Sequence, residues 1–203
     1  GIPKKVINDY SKIISGGKLR PQENLISEKP CDKDHRSELL NSEKKQITST
    51  EEFNYGGEKA EIINFSILNK DGDESIVISS SEIFEIIFTV LGKAVVSKPI
   101  YAVTIRDIKG QQIYGQNTLF SKVATSDLTD GQKVKIYFQF NANLAEGKYL
   151  ISLGITRFRE DDELEVIHRR YDIEEIEVIN LDGSFGIANC NCSIKCDILR
   201  NHD

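Results

Sequence analysis

The chain has 203 residues, 39% of them hydrophobic and 29% charged, a composition of ordinary globular proteins with room for one domain plus extra segments. Its net charge of −6 supplies no basic field for phosphate backbones, which argues against nucleic acid as a partner. No apolar run approaches the roughly 18 residues of a membrane-spanning helix, and the N-terminus has no signal-peptide pattern.

In chain order, Pro3 and the apolar spacing of Val6, Tyr10, Ile13 and Ile14 predict a short helix over 1–15, stopped by Gly16-Gly17. Its apolar stripe needs a partner surface. Together with the absence of methionine, this makes the chain read as a piece of a longer protein whose preceding domain packs on that helix. Residues 18–54, polar and punctuated by Pro21 and Pro30, read as a linker with one short helix near 37–45.

From Tyr55 onward the pattern becomes alternating. Strands are expected near 60–68, 75–79, 82–91, 99–107, 111–115, 132–141, 147–158, 163–170, 173–180 and 184–198. Turn pairs such as Lys109-Gly110, Asp130-Gly131, Glu146-Gly147 and Asp182-Gly183 separate them. Many short strands without a βαβ rhythm predict an all-β antiparallel sandwich over residues 55–203. The rows Phe84/Ile86/Phe88/Val90, Val134/Ile136/Phe138/Phe140 and Tyr149/Ile151/Leu153/Ile155 supply its inward faces. Tyr149, at a strand start after Gly147, matches a tyrosine corner, a structural role rather than a catalytic one.

Catalytic signatures are missing. There is no phosphate loop and no Gly-x-Ser-x-Gly elbow, and the three histidines are scattered at His35, His168 and His202. Asp71-Gly72-Asp73-Glu74 lacks the full spacing of a calcium loop and reads as a turn, and the run Glu160–Glu163 reads as a solvated hairpin tip, because a glycosidase needs two carboxyls facing each other across a cleft. Cys190, Cys192 and Cys196 alternate as in a strand rather than forming a zinc knuckle, and with Cys31 they make no secreted disulfide framework. A reduced, cytosolic compartment fits, and no metal site is assigned.

The outward faces are more informative. With Val103 and Ile105 inward, Thr104 and Arg106 point out; with Ile151, Leu153 and Ile155 inward, Ser152, Gly154, Thr156 and Phe158 point out. If these two strands share a sheet, the small residues form a trough walled by Arg106, Tyr114 and Phe158, with His168 and Arg170 near one end. Sugars need such a surface, with aromatic planes for C–H faces and polar groups for hydroxyls. An ordinary solvated face or a dimer interface are the alternatives, and His168 taken alone reads as a partly exposed strand residue.

Several segments together resemble the C-terminal domain of Wzt, the nucleotide-binding subunit of ABC transporters that export O-antigen polysaccharide. They are Tyr55–Ile62, then Ile105-Arg106-Asp107 followed by Gly110 and Ile113-Tyr114-Gly115-x-Asn117-Thr118, then Leu144-x-x-Gly147-x-Tyr149-x-Ile151-x-Leu153-Gly154, and finally Gly183-Ser184-Phe185-Gly186. Gly1-Ile2-Pro3-x-x-Val6-Ile7-x-x-Tyr10 also resembles the helix that closes the ATPase domain of such subunits, assigning residues 1–17 to that domain. The resemblance implies an immunoglobulin-like, jelly-roll-like β-sandwich that binds the exported glycan without catalysis and forms homodimers. It also implies a permease partner, a position at the cytoplasmic face of the inner membrane, and ATP and Mg²⁺ in the ATPase domain, with no cofactor in this piece. The candidate glycan contacts are Thr104, Arg106, Tyr114, Asn117, Ser152, Thr156, Phe158, His168 and Arg170. A dimerisation or protein-interaction sandwich without glycan binding is the alternative.

Overall fold

The computed structural model describes residues 53–194 other than 182 and 184. The expected helix over 1–15, the linker up to residue 52, and Cys31, Cys196, His35 and His202 lie outside the described residues.

Within them the chain is an all-β sandwich. Its strands are β1 (Phe53–Gly56), β2 (Ala60–Leu68), β3 (Val77–Ser79), β4 (Ile83–Gly92), β5 (Ile100–Asp107), β6 (Gln112–Asn117), β7 (Lys133–Asn141), β8 (Gly147–Phe158) and β9 (Leu164–Ile179). One sheet runs β1-β9-β8-β5-β6, with β3 added in parallel to the far end of β9; the other is β2-β4-β7. β1 begins at Phe53, two residues before the expected start of the domain at Tyr55, and pairs with β9 through Phe53↔Tyr171 to Gly56↔His168.

The inward rows pack as their alternation requires. Phe84 and Phe88 of β4 stack on Phe140 and Phe138 of β7, at centroid separations of 5.1 and 6.0 Å. Ile151, Leu153 and Ile155 of β8 are fully enclosed opposite them. The Tyr149 hydroxyl donates to the Ala145 carbonyl at 2.9 Å, the tyrosine-corner bond that pins the turn into β8.

Of four irregularities in register, one lies in β6, where Ile113 is extra between the pairs Ile105↔Tyr114 and Arg106↔Gln112; the other three set which side chains of β2 and β9 reach which face. In β2 the pairing slips between Ile62 and Asn64, so burial passes from Ala60 and Ile62 to Phe65 and Ile67. That slip explains why alternation in this strand has no single phase in the sequence. β2 is an edge strand, and on its open side the Ile62 N–H donates to His168 Nδ1 at 2.9 Å while its carbonyl accepts from Arg170 Nη1 at 3.4 Å. His168 and Arg170 therefore tie β9 to the opposite sheet at a corner of the sandwich. Replacing His168 by leucine strands a buried N–H and is expected to cost about 1–3 kcal/mol. His168→Asn, whose carboxamide oxygen can take the place of Nδ1, is expected to recover part of that loss in urea melts.

The other two irregularities lie in β9. Ile167 is an extra residue between the pairs Ile155↔His168 and Thr156↔Val166. Further on, Tyr171, Asp172 and Ile173 lie opposite Ser152 alone, and Asp172 takes a φ of 50°. Two expected strands, 163–170 and 173–180, are thus one strand bent at a bulge. The strand expected over 184–198 is not formed by its described residues: beyond β9 only the bridge Leu144↔Ala188 is made. Gly186 at φ 114° and Asn191 at φ 51° turn the backbone out of the extended region there.

Near the β8–β9 hairpin, Glu165 accepts from Lys59 Nζ at 2.6 Å and Arg157 Nε at 2.5 Å. Desolvation pushes its carboxyl up, but the two cationic donors outweigh that and hold it below the ordinary value of 4.5. A depressed carboxyl stabilises the fold above its unfolded pKa, and that contribution is lost as pH falls through the folded value. Glu165→Gln is therefore expected to cost about 1 kcal/mol at neutral pH. The difference should shrink progressively as urea melts are repeated at falling pH below the ordinary carboxylate value of 4.5.

Candidate functional site

β5 and β8 are direct neighbours, so the residues expected to form a trough do meet. Thr104 lies opposite Ser152 on one side and Gly115 of β6 on the other. Ala102 lies opposite Gly154 and Asn117, and Ile100 opposite Thr156. Since Val103, Ile105, Leu153 and Ile155 fill the core, alternation turns this whole set outward. The result is a floor of small side chains across three strands, with the half-exposed Phe158 at the far end of β8.

Arg169 lies across this floor. A Cβ on Gly154 would sit 2.4 Å from Arg169 Nη1 and 3.0 Å from its Cδ, so glycine is what lets the guanidinium lie flat. Arg169 Nη2 reaches Thr104 Oγ1 at 3.4 Å, and the guanidinium carbon stands 5.3 Å from the Tyr171 ring centroid. Arg169 Nε is buried and has no hydrogen-bond partner among the described residues.

Behind Arg169 the face is closed by a packed cluster. Arg106 Nη2 donates to Asp172 Oδ1 at 2.5 Å, with the two side chains 9% and 1% exposed. The Asp172 N–H donates to Ser152 Oγ at 3.0 Å, and Arg106 stands 5.5 Å from the same Tyr171 ring. The bulge makes this possible: the left-handed Asp172 turns its carboxylate toward Arg106 instead of continuing the alternation. Arg106 and Ser152 are therefore buried parts of the floor, not exposed walls.

Three of the expected contacts are placed elsewhere. Tyr114 pairs with Ile105 and so turns inward, its ring edge-on to Phe140 at 6.0 Å. His168 and Arg170 point inward to Ile62, because the extra residue Ile167 reverses the phase of β9. The same reversal brings out Arg169 and Tyr171, which reading the sequence missed; only the strand register reveals them. Asn117 keeps the outward side, its carboxamide oxygen capping the N–H of Phe120 at 2.7 Å. Thr104, Asn117, Thr156 and Phe158, with Arg169, thus make up the accessible part of the face.

This arrangement offers hydroxyls, a carboxamide, a guanidinium and an aromatic ring, which is hydrogen-bonding and stacking chemistry. Its carboxylate, Asp172, is committed to Arg106. At the hairpin tip, Arg159 pairs with Asp161 and Glu163 in an exposed ion-pair cluster. Asn69 Oδ1 accepts from the N–H groups of Asp71 and Asp73, forming an Asx turn. Cys190 and Cys192 are free and exposed, and among the described residues no group of three or more His, Cys, Asp or Glu is placed to hold a metal.

A family model described as the Wzt C-terminal domain matches residues 51–190. Among solved structures, the crystal structure of the C-terminal domain of wzt aligns with a TM-score of 0.67 at 21% identity, covering 74% of this chain and 91% of that one. A Niemann-Pick type C2 protein from Japanese carpenter ant aligns at TM-score 0.41 and 10% identity, over 60% of this chain and 94% of its own. The CARDB domain of a Pyrococcus furiosus protein aligns at 0.33 and 15%, over 60% and 97% respectively. No curated protein matches the chain.

Proposed function

The chain belongs to the Wzt C-terminal domain family, and on that footing we propose that it is the glycan-recognising module of an ABC transporter for O-antigen-type polysaccharide. It binds the lipid-linked polymer without cleaving it and couples that binding to export. In this reading the module works on the cytoplasmic side of the inner membrane, and the subunit's ATPase domain supplies ATP, Mg²⁺ and the contact to the permease. Among the described residues no helix is long and apolar enough to cross a membrane.

The observation that carries the glycan reading is the outward floor of Thr104, Gly154 and Thr156 beneath Arg169. Small residues let Arg169 lie flat on the sheet, so a sugar ring would meet its guanidinium flanked by Thr104 and Thr156. The threonine hydroxyls and the half-exposed Arg169 guanidinium offer it hydrogen bonds. Thr156→Arg, which fills the floor at a half-exposed position, is expected to weaken binding of the polysaccharide from the same cells by about tenfold or more, or about 1.4 kcal/mol. Its melting temperature should stay that of the unsubstituted chain. Unchanged affinity would remove this face from the account.

Self-association is a second reading, favoured by the segment after β9. Leu181, Phe185, Ile187 and Ile194 are 84%, 95%, 66% and 86% exposed there, a density of bare apolar side chains that suits burial against a second copy. Light scattering should then give a dimer that Phe185→Ser converts to a monomer. A monomer in both cases removes this reading.

A further inference from the structure

β6 ends one sheet and β7 ends the other. Between their inner faces opens a cleft of about 660 Å³, within the about 300–1,000 Å³ of small-ligand sites. It lies on the opposite side of β6 from the floor of Thr104 and Gly154. The strand alternates between the two: Gly115 and Asn117 face outward, while Tyr114 and Gln116 line the cleft with Thr118 just beyond them. Tyr101, Tyr137, Phe138 and Phe140 complete the aromatic lining.

The cleft is built rather than incidental. The Tyr101 N–H donates to Thr118 Oγ1 at 3.1 Å, Thr125 Oγ1 donates to the Pro99 carbonyl at 2.7 Å, and Asp127 Oδ1 accepts from the Lys98 N–H at 3.0 Å. With the bridge Val96↔Leu128, these bonds hold the 118–128 loop over one end. Phe138 is braced from behind by Phe88, which also meets Tyr101 edge-on at 6.4 Å. The Tyr114 and Phe140 rings meet at right angles, 6.0 Å apart, and Tyr114 remains 44% exposed, so part of its ring is open to a ligand. Burial pushes the Tyr101 phenol up to about 12, further above physiological pH than an ordinary tyrosine.

We propose that this cleft is a second binding site, separate from the outward floor, for a short oligosaccharide segment that stacks on Tyr114 and hydrogen-bonds to Gln116. The inference rests on the glycan reading above for the class of ligand. The lining mixes apolar Val123, Val134 and Ile136 with Gln116, Thr118, Ser121 and Gln132, and these polar groups favour that class over an aliphatic chain. Aromatic rings suit the C–H faces of sugars, and amides and hydroxyls suit their hydroxyls. A hydrocarbon chain would desolvate those same amides and hydroxyls without replacing their hydrogen bonds, at a cost for each. The reading also gives a use to the Gly115-Gln116-Asn117-Thr118 motif, whose alternate members serve the two surfaces.

The test is an amide NMR titration of the full 203-residue chain with delipidated polysaccharide from the same cells, and separately with sodium dodecanoate. The polysaccharide is expected to shift the amides of Tyr114, Gln116 and Thr118 saturably. Gln116→Ala and Tyr114→Ser should each weaken those shifts by about tenfold. Gln116→Ala, the milder change, keeps the test valid if the tyrosine variant fails to fold. Polysaccharide shifts confined to Thr104 and Thr156 would overturn the cleft and leave the outward floor standing. No shifts anywhere would overturn both. Cleft shifts with dodecanoate but not with polysaccharide would overturn the oligosaccharide assignment.

Discussion

Replacing Asp172 with asparagine is expected to lower the unfolding free energy by about 3–5 kcal/mol, because it leaves the Arg106 guanidinium buried beside a neutral partner. The two side chains are nearly sealed from solvent, in contact at 2.5 Å, and packed under the Tyr171 ring. Arg106→Met alone should cost a similar amount, since it leaves the Asp172 carboxylate buried. The double variant Arg106→Met, Asp172→Asn removes both charges and should recover most of the loss. Urea melts of all four forms give the coupling directly. Additive losses would mean that the two residues act independently and that the bulge, not the ion pair, organises the face.

The second large effect is in the core. Phe88→Ala is expected to cost about 3–5 kcal/mol, from lost burial and the cavity left behind. Phe88 is 1% exposed and braces both Phe138 and Tyr101. Removing it loosens two walls of the β6–β7 cleft, so the stability loss should come with broadened amide signals at Tyr101 and Phe138. Phe88→Leu keeps most of the volume and should cost less than half as much. Equal losses for the two variants would contradict the account of tight packing at this position.

How much of this was legible in the sequence depended on where the alternation is unbroken. β4, β7 and β8 carry regular rows, and their inward faces, their turns and the Tyr149 corner were readable from residue order alone. The β5–β8 floor followed from the same regularity once the two strands were taken as neighbours. What was not readable came from bulges. An extra Ile167 changes no residue type, yet it exchanges the roles of His168 and Arg170 with those of Arg169 and Tyr171. The bulge at Asp172 likewise turns Arg106 from an expected wall into a buried ion pair. A bulge is set by the partner strand and by the backbone the whole sheet imposes, so a single strand's pattern does not announce it. Tyr114 was misplaced for a simpler reason: its side depends on register with β5, and Thr104 pairs with Gly115 rather than with the tyrosine. The tail from 185 onward shows the opposite limit. Alternating Cys190 and Cys192 look strand-like, but Gly186 and Asn191 at positive φ, and the lack of a ladder among the described residues there, leave the segment without a strand.

The proposed function comes down to one claim, that this sandwich holds a polysaccharide without cutting it. Equilibrium binding of the full chain to delipidated polysaccharide from the same cells, followed by an assay of the recovered polymer for new reducing ends, tests it most directly. The account predicts saturable binding and a polymer of unchanged length. A folded chain that shows no saturable binding, or one that shortens the polymer, would contradict it.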